Sequence, residues 1–144
     1  MALTKLTEDE IATFLNRTGP ALVGVIGTLG ADGYPHLVPV WYRYDGEHVH
    51  IWTLETRAWV KNLARDDRAA VSVQENELTS TGVSLKGRAS IRTSAEAWVT
   101  EQIWAITGRY IPDQAEARAY IQNWQHLRTI VSLRPEKING WRDV

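Results

Sequence analysis

Four cations recur in the stretch TLETRAWVKNLARDDR: Arg57, Lys61, Arg65 and Arg68, at spacings of four, four and three. If residues 57–66 are helical, the four fall within roughly a quarter of the circumference. Val60, Leu63 and Ala64 then form the opposite, packing face. An amphipathic helix with a solvated basic side explains most such rows. Here the position of Arg57 adds a second reading. With Thr56 as N-cap, Arg57 sits in the first turn, where the helix dipole is positive and a cation is disfavoured. That turn also carries unpaired backbone N–H groups. Arg57, Lys61, those N–H groups and the hydroxyls of Thr53 and Thr56 together make a phosphate cradle, and a bound anion would relieve the repulsion.

The residues next to the cradle suit a flat ligand. Trp52 and Thr53 lead directly into the helix start. Val38, Pro39, Val40 and Trp41 lie on the preceding hairpin strand, where Pro39 removes one ladder donor and leaves backbone groups for a ligand. A planar heterocycle with a phosphate tail fits this order: tail at Arg57 and Lys61, ring along Val38–Trp41, with Trp52 nearby. Trp98, Trp104 and Trp124 fall on helical stripes and are expected in a core or an interface.

Other chemistry is sparse. The chain has no cysteine, which excludes disulfides, thiolate catalysis and cysteine zinc sites. His36, His48, His50 and His126 are scattered. His48 and His50 stand two apart on one strand, a spacing that two-histidine metal sites use. No acidic or third histidine partner is evident, so no metal is expected. Neither a G-x-S-x-G elbow nor a G-x-G-x-x-G loop is present. No catalytic residue set emerges, so in an enzyme of this kind a cofactor brings the chemistry and the protein orients it.

The 144 residues fit one domain, 1–144, and the 44% hydrophobic share supports a core. Sixteen basic residues against seventeen acidic ones make a general polyanion binder, and hence nucleic acid as partner, unexpected. No signal-peptide pattern or membrane-length apolar run appears, so a cytoplasmic protein is expected.

The elements that must position the cradle are mostly strands. Thr7–Glu10 is a capping box opening a short helix that stops near Gly19-Pro20. Strands are expected over 21–28, 35–44, 47–53, 69–74, 82–93 and 127–133. Asp32-Gly33 and Asp45-Gly46 are hairpin turns, Gly87 marks a bulge, and Arg134-Pro135 ends the last strand. A loop follows Gln74. Pro39 demotes its strand to an edge. On 47–53, His48 and His50 alternate with Val49 and Ile51, one face wet and one buried. Capping residues at Thr93–Glu96 and Asp113–Glu116 open two further helices. Six strands without regular βαβ alternation predict a mainly β, α+β fold: a small antiparallel barrel with flanking helices.

The segments GVIGTLGADGYPHLVPVWYRYDGEHVHIWT, TRAWVKNLARDDRAAVSV, KGRASI and RPEKINGW resemble the pyridoxamine 5′-phosphate oxidase-like proteins, in particular their short flavin- and deazaflavin-dependent oxidoreductase branch. The resemblance covers nearly the whole chain. It implies a six-stranded split β-barrel of the Greek-key, FMN-binding type, and a homodimer with two cofactor sites at the subunit interface. It implies that Arg57 and Lys61 hold the phosphate of F420, with FMN as the alternative. The ring would lie along Val38, Pro39, Val40 and Trp41, with Trp52, Thr53 and Thr56 beside it. The Trp98–Tyr110 helix and Trp141 would come from, or near, the other subunit. Many relatives carry a second cation at the position of Trp59. The longer oxidases carry an arginine-bearing C-terminal substrate motif where this chain reads GWRDV, so their substrate and activity are not implied. The expected reaction is hydride transfer from the reduced cofactor to an unsaturated small molecule. The alternatives are a non-catalytic binding or storage protein for flavin, deazaflavin or haem, and an interaction protein with an empty groove.

Overall fold

A computed structural model describes residues 3–75, 77 and 80–143. Eight strands and four helices follow in the order β1 (Leu3–Lys5), α1 (Glu8–Leu15), β2 (Gly24–Leu29), β3 (Pro35–Val40), β4 (Arg43–Tyr44), β5 (Val49–Thr53), α2 (Ala58–Arg65), β6 (Arg68–Gln74), β7 (Thr81–Thr93), α3 (Ala97–Tyr110), α4 (Gln114–Asn123) and β8 (Thr129–Asp143). Part of the loop expected after Gln74 lies outside the described residues.

All strand pairs are antiparallel, in the order β3-β2-β6-β7-β8-β5-β4, with β1 added to β8. The two ends of that order, β3 and β4, are separated along the chain by only Trp41 and Tyr42. Two residues cannot span a flat seven-strand width, so the sheet must curl until its edges meet. They meet without pairing, which makes the barrel split.

The split is closed by side chains. Tyr42 is buried and its hydroxyl donates to the Leu15 carbonyl at 2.7 Å. Arg109, at the end of α3, donates to the carbonyls of Tyr42, Leu15 (2.9 Å) and Arg17 (3.2 Å). The Tyr110 hydroxyl donates to Leu22 at 2.7 Å. These bonds satisfy backbone groups that an unbroken ladder would otherwise take. Burial pushes the Tyr42 phenol up to about 12, so it remains a donor at any physiological pH.

The expected six strands become eight for two local reasons, and a third lengthens the last strand. β1 is a three-residue addition to the far end of β8. The stretch 35–44 breaks at Trp41–Tyr42 into β3 and β4. β8 does not end at Arg134-Pro135: it runs on to Asp143, because Pro135 sits at a bulge where the register slips between Lys86 and Gly87. A Cβ on Gly87 would collide with the Arg134 carbonyl, so the bulge requires glycine there.

Two apolar clusters lie on the two faces of this sheet. The barrel interior holds Leu15, Ile26, Tyr42, Val71, Val73, Leu85 and Leu133, with α1 and α2 packed against it. The second cluster joins Val99, Ile103 and Ile106 of α3 to Ile130, with Trp41, Trp52, Trp98 and Ile121 around them. Its presence corrects the reading of β5. His50 is not on a wet face; Val49, His50 and Ile51 are all buried, because α3 covers the outer side.

Of three helix starts, those of α1, α3 and α4, two are as expected and one departs. α1 has its capping box, with Thr7 and Glu10 exchanging hydrogen bonds of 3.0 and 3.2 Å. Asp113 caps α4 by accepting from the Glu116 N–H. The expected box at Thr93–Glu96 does not form: Glu96 is the N-cap of α3, without a side-chain cap, and the Thr93 hydroxyl pairs with Thr129 at 2.8 Å across the β7–β8 ladder. Among the described residues, no helix is long and apolar enough to cross a membrane.

Candidate functional site

The basic row divides in two. α2 ends at Arg65, and Arg68 belongs to β6, where it forms a two-bond pair with Asp66 at 3.0 and 2.7 Å. Arg65 donates to the Leu29 carbonyl and to Asn62. Both are structural. Arg57 and Lys61 are exposed and pair with no acid among the described residues.

Arg57, not Thr56, is the N-cap of α2, and it makes no side-chain cap bond. The reason is the preceding turn, closed by the Arg57 N–H to the Leu54 carbonyl at 3.1 Å, which delays the helix by one residue. The first intrahelical bonds come from Val60 and Lys61 to the Arg57 carbonyl. The N–H groups of Ala58 and Trp59 therefore have no acceptor among the described residues, as a bare helix start dictates. Trp59, Val60 and Leu63 anchor the helix in the barrel. Ala64, expected on the packing face, is exposed.

The helix start opens on a cavity of about 530 Å³. Of the sequence-derived residues, Val38, Pro39, Val40, Trp41, Trp52, Thr53 and Arg57 line it together. Thr56 is exposed beside Arg57, and Lys61 stands one turn further along α2; neither lines the cavity. Trp141 lies in β8 opposite Gly82 and Lys5, its ring against Gly82, and is not part of the wall. The helix implied to come from, or near, a second subunit contributes within this chain: Ile106 of α3 lines the cavity.

Pro39 is on the edge strand as its missing N–H requires, opposite Val25 of β2. β3 has no strand on its other side, so its outward ladder groups lack backbone partners among the described residues. Trp41 is already engaged: its ring stacks on Tyr110 (centroids 4.6 Å apart, planes at 7°) and on Tyr120 at 5.4 Å. Trp52 donates its indole N–H to the Leu127 carbonyl at 2.8 Å, so only its face remains for a ligand.

Sequence reasoning missed His36, Ile51, Ala58, Trp59, Ile106 and Tyr120 in the wall. Tyr120 had a signal, its place on the α4 stripe, but nothing local says that α4 packs edge-on to Trp52 at 6.2 Å. His36 is held by Asn62, whose amide lies 3.4 Å from its Nδ1 and 3.1 Å from the Thr28 hydroxyl. Trp59 is buried and adds apolar wall.

The arrangement is a basic corner with bare helix N–H groups opening into an aromatic chamber, with no nucleophile–base pair in its wall. Among the described residues its donors suit a phosphorylated planar cofactor: the unpaired Arg57 guanidinium with Lys61 one turn along α2, two N–H groups without acceptors and the Thr53 hydroxyl for the phosphate, and indole and phenol faces for the ring.

Comparison with known proteins bears on the family and the fold. A family model described as pyridoxamine 5′-phosphate oxidase matches residues 7–142. A conserved hypothetical protein from Mycobacterium tuberculosis is similar in structure, with 28% identity over 94% of this chain and 84% of that one, at a TM-score of 0.80. A FAD-binding protein from Mesorhizobium loti shares the fold at 17% identity, over 99% of this chain and 97% of that one, with a TM-score of 0.72. A protein described as F420 reductase shares it at 22% identity, over 88% and 93% of the two chains, with a TM-score of 0.63.

Proposed function

The chain belongs to the pyridoxamine 5′-phosphate oxidase family, and from that premise we propose that it is an oxidoreductase working with the deazaflavin F420 or with FMN. One observation carries the reading: among the described residues Arg57 is unpaired at an uncapped helix start that opens into an aromatic-walled cavity, with Lys61, also unpaired, one turn along α2. The similarity to an F420 reductase and the short-branch sequence pattern favour the deazaflavin.

Arg57, Lys61, Thr53 and the N–H groups of Ala58 and Trp59 hold the cofactor phosphate. The cations neutralise it and the helix dipole adds to their field. The edge of β3 from Val38 to Val40 offers backbone groups to the polar rim of the ring. Trp41, Trp52 and Tyr120 exclude water from its faces and hold it for reaction. When bound, the cofactor supplies hydride transfer to an unsaturated small molecule, which is why the wall needs no nucleophile.

A homodimer is part of the proposal. On the outward side of β3, β2 and β6, positions facing one another are Leu37, Gly27 and Ala70, then Pro39, Val25 and Ser72. Leu37 is 66% exposed and Val25 37%. An antiparallel sheet facing water alternates apolar-in with polar-out. An outward row this apolar fits coverage by a second copy.

The test is a fluorescence titration of the purified protein with F420 and FMN side by side. Arg57→Ala combined with Lys61→Ala is expected to lower affinity by at least about 100-fold, the loss of two charge-assisted contacts, with an unchanged circular dichroism spectrum. Unchanged titration of that variant overturns the phosphate site. Bound, reduced cofactor that no quinone or enone reoxidises in single-turnover mixing would leave a binding protein and remove the enzyme.

A further inference from the structure

We propose that Asp45, His48 and His50 form a binding site for a divalent transition metal of the Zn²⁺ or Ni²⁺ class, separate from the cofactor cavity. One ligand atom from each lies within 4.8 Å of the other two. His50 lies on β5 and His48 just before it, in the β4–β5 hairpin; the same hairpin supplies the acidic partner, folding Asp45 back against them.

Asp45 and His50 are oriented by hydrogen bonds and by their contact with each other, and the His48 ring nitrogens are unengaged among the described residues. The Asp45 Oδ1 accepts from the backbone N–H groups of Glu47 and His48 at 2.8 and 2.6 Å, which fixes the carboxylate and leaves Oδ2 towards His50. His50 has Nδ1 2.7 Å from the Ser132 hydroxyl and Nε2 2.7 Å from the Asp45 Oδ2. His48 makes no ring hydrogen bond among the described residues, and its ring lies nearly parallel to that of His50 at 5.6 Å. Trp98 closes the other side of His50, edge-on at 5.6 Å. Arg43, opposite His50 in the β4–β5 register, is drawn towards Gln102 at 3.0 Å.

Without metal, a carboxylate 2.7 Å from Nε2 requires the proton to be on that nitrogen. With metal, the proton of the neutral imidazole moves to Nδ1, where the Ser132 hydroxyl accepts it, and Nε2 turns its lone pair to the ion. No net proton leaves His50. Asp45 Oδ2, His50 Nε2 and a His48 ring nitrogen then give a two-nitrogen, one-oxygen set with positions open to water. Imidazole and carboxylate favour Zn²⁺ and Ni²⁺ over Mg²⁺ or Ca²⁺, and Ser132 is the supporting hydrogen-bond partner that histidine ligands usually have. A Ser–His–Asp hydrolase is the other reading of the same chain of contacts; it is set aside because Ser132 is buried within the sheet.

The experiment is calorimetric titration of the metal-free 144-residue chain with ZnCl₂, beside His48→Ala, Ser132→Ala and His126→Ala, each verified as folded by circular dichroism. One saturable site per chain is expected. His48→Ala should weaken it by more than about tenfold and Ser132→Ala by about 10- to 100-fold, while His126→Ala, an exposed histidine outside the cluster, leaves it unchanged. Absence of saturable binding by the parent protein, binding undiminished in His48→Ala, or equal weakening in His126→Ala overturns the site.

Discussion

Asp45 and His50 show how environment decides what a residue does. Burial pushes the Asp45 carboxyl up, but hydrogen bonds from the His48 backbone, the His50 ring and the Glu47 backbone together outweigh it and hold the group down at about 2. For His50, burial is the largest influence and lowers its pKa from 6.5; the Asp45 carboxylate opposes this without prevailing. At neutral pH the pair is therefore a neutral imidazole donating to a carboxylate, not an ion pair. Both folded values lie below the unfolded ones, so both contributions are present at high pH and lost on acidification. His50's begins to fall below about pH 6.5 and Asp45's below about pH 3.8. In metal-free buffer, thermal melts across pH 8 to 5 should show stability declining below pH 6.5 in the parent protein, with a flatter profile in His50→Gln. Parallel profiles would mean that His50 does not titrate on unfolding.

At the scale of elements, the bulge between β7 and β8 carries the most specific demand. Gly87 faces Pro135 across a register slip, with the Arg134 carbonyl where its Cβ would be. Pro135 lacks an N–H and would otherwise interrupt the longest ladder in the sheet. Gly87→Ala is expected to destabilise by about 2–3 kcal/mol in urea unfolding, because backbone rather than a flexible side chain must move. A change below about 0.5 kcal/mol would show that the bulge relaxes freely. The start of α2 is the other element with a consequence. Because Arg57 rather than Thr56 is its N-cap, the bare N–H groups lie beside the free guanidinium instead of under a threonine hydroxyl.

For the whole molecule, the split arises from a curled sheet whose edge strands are neighbours in the chain. The cavity takes its wall from that junction: β3 and Trp41 on one side, β5 and the start of α2 on the other, with Ile106 of α3 and Tyr120 of α4 completing it. The outward apolar row on β2 and β3 belongs to the same scale. Leu37→Lys is expected to convert a dimer to a monomer in analytical ultracentrifugation, with an unchanged circular dichroism spectrum. A parent protein that sediments as a monomer, or a variant that remains dimeric, would remove that face as the subunit contact.

What the sequence determined by itself were the features encoded within a few residues: the capping box at Thr7 and the cap at Asp113, the glycine turns at Gly33 and Gly46, the Gly87 bulge, and the edge position of Pro39. Seven of the ten residues expected around a ligand line one cavity, because strand order and a helix start are short-range signals. Only the tertiary structure decided the rest. The break at Trp41–Tyr42, the continuation of β8 past Pro135, the burial of His50 beneath α3 and the division of the basic row into two free and two engaged cations all depend on partners far away in the chain. Periodicity reports which side of an element is apolar; it carries no information about which distant carbonyl, carboxylate or helix will arrive to occupy that side.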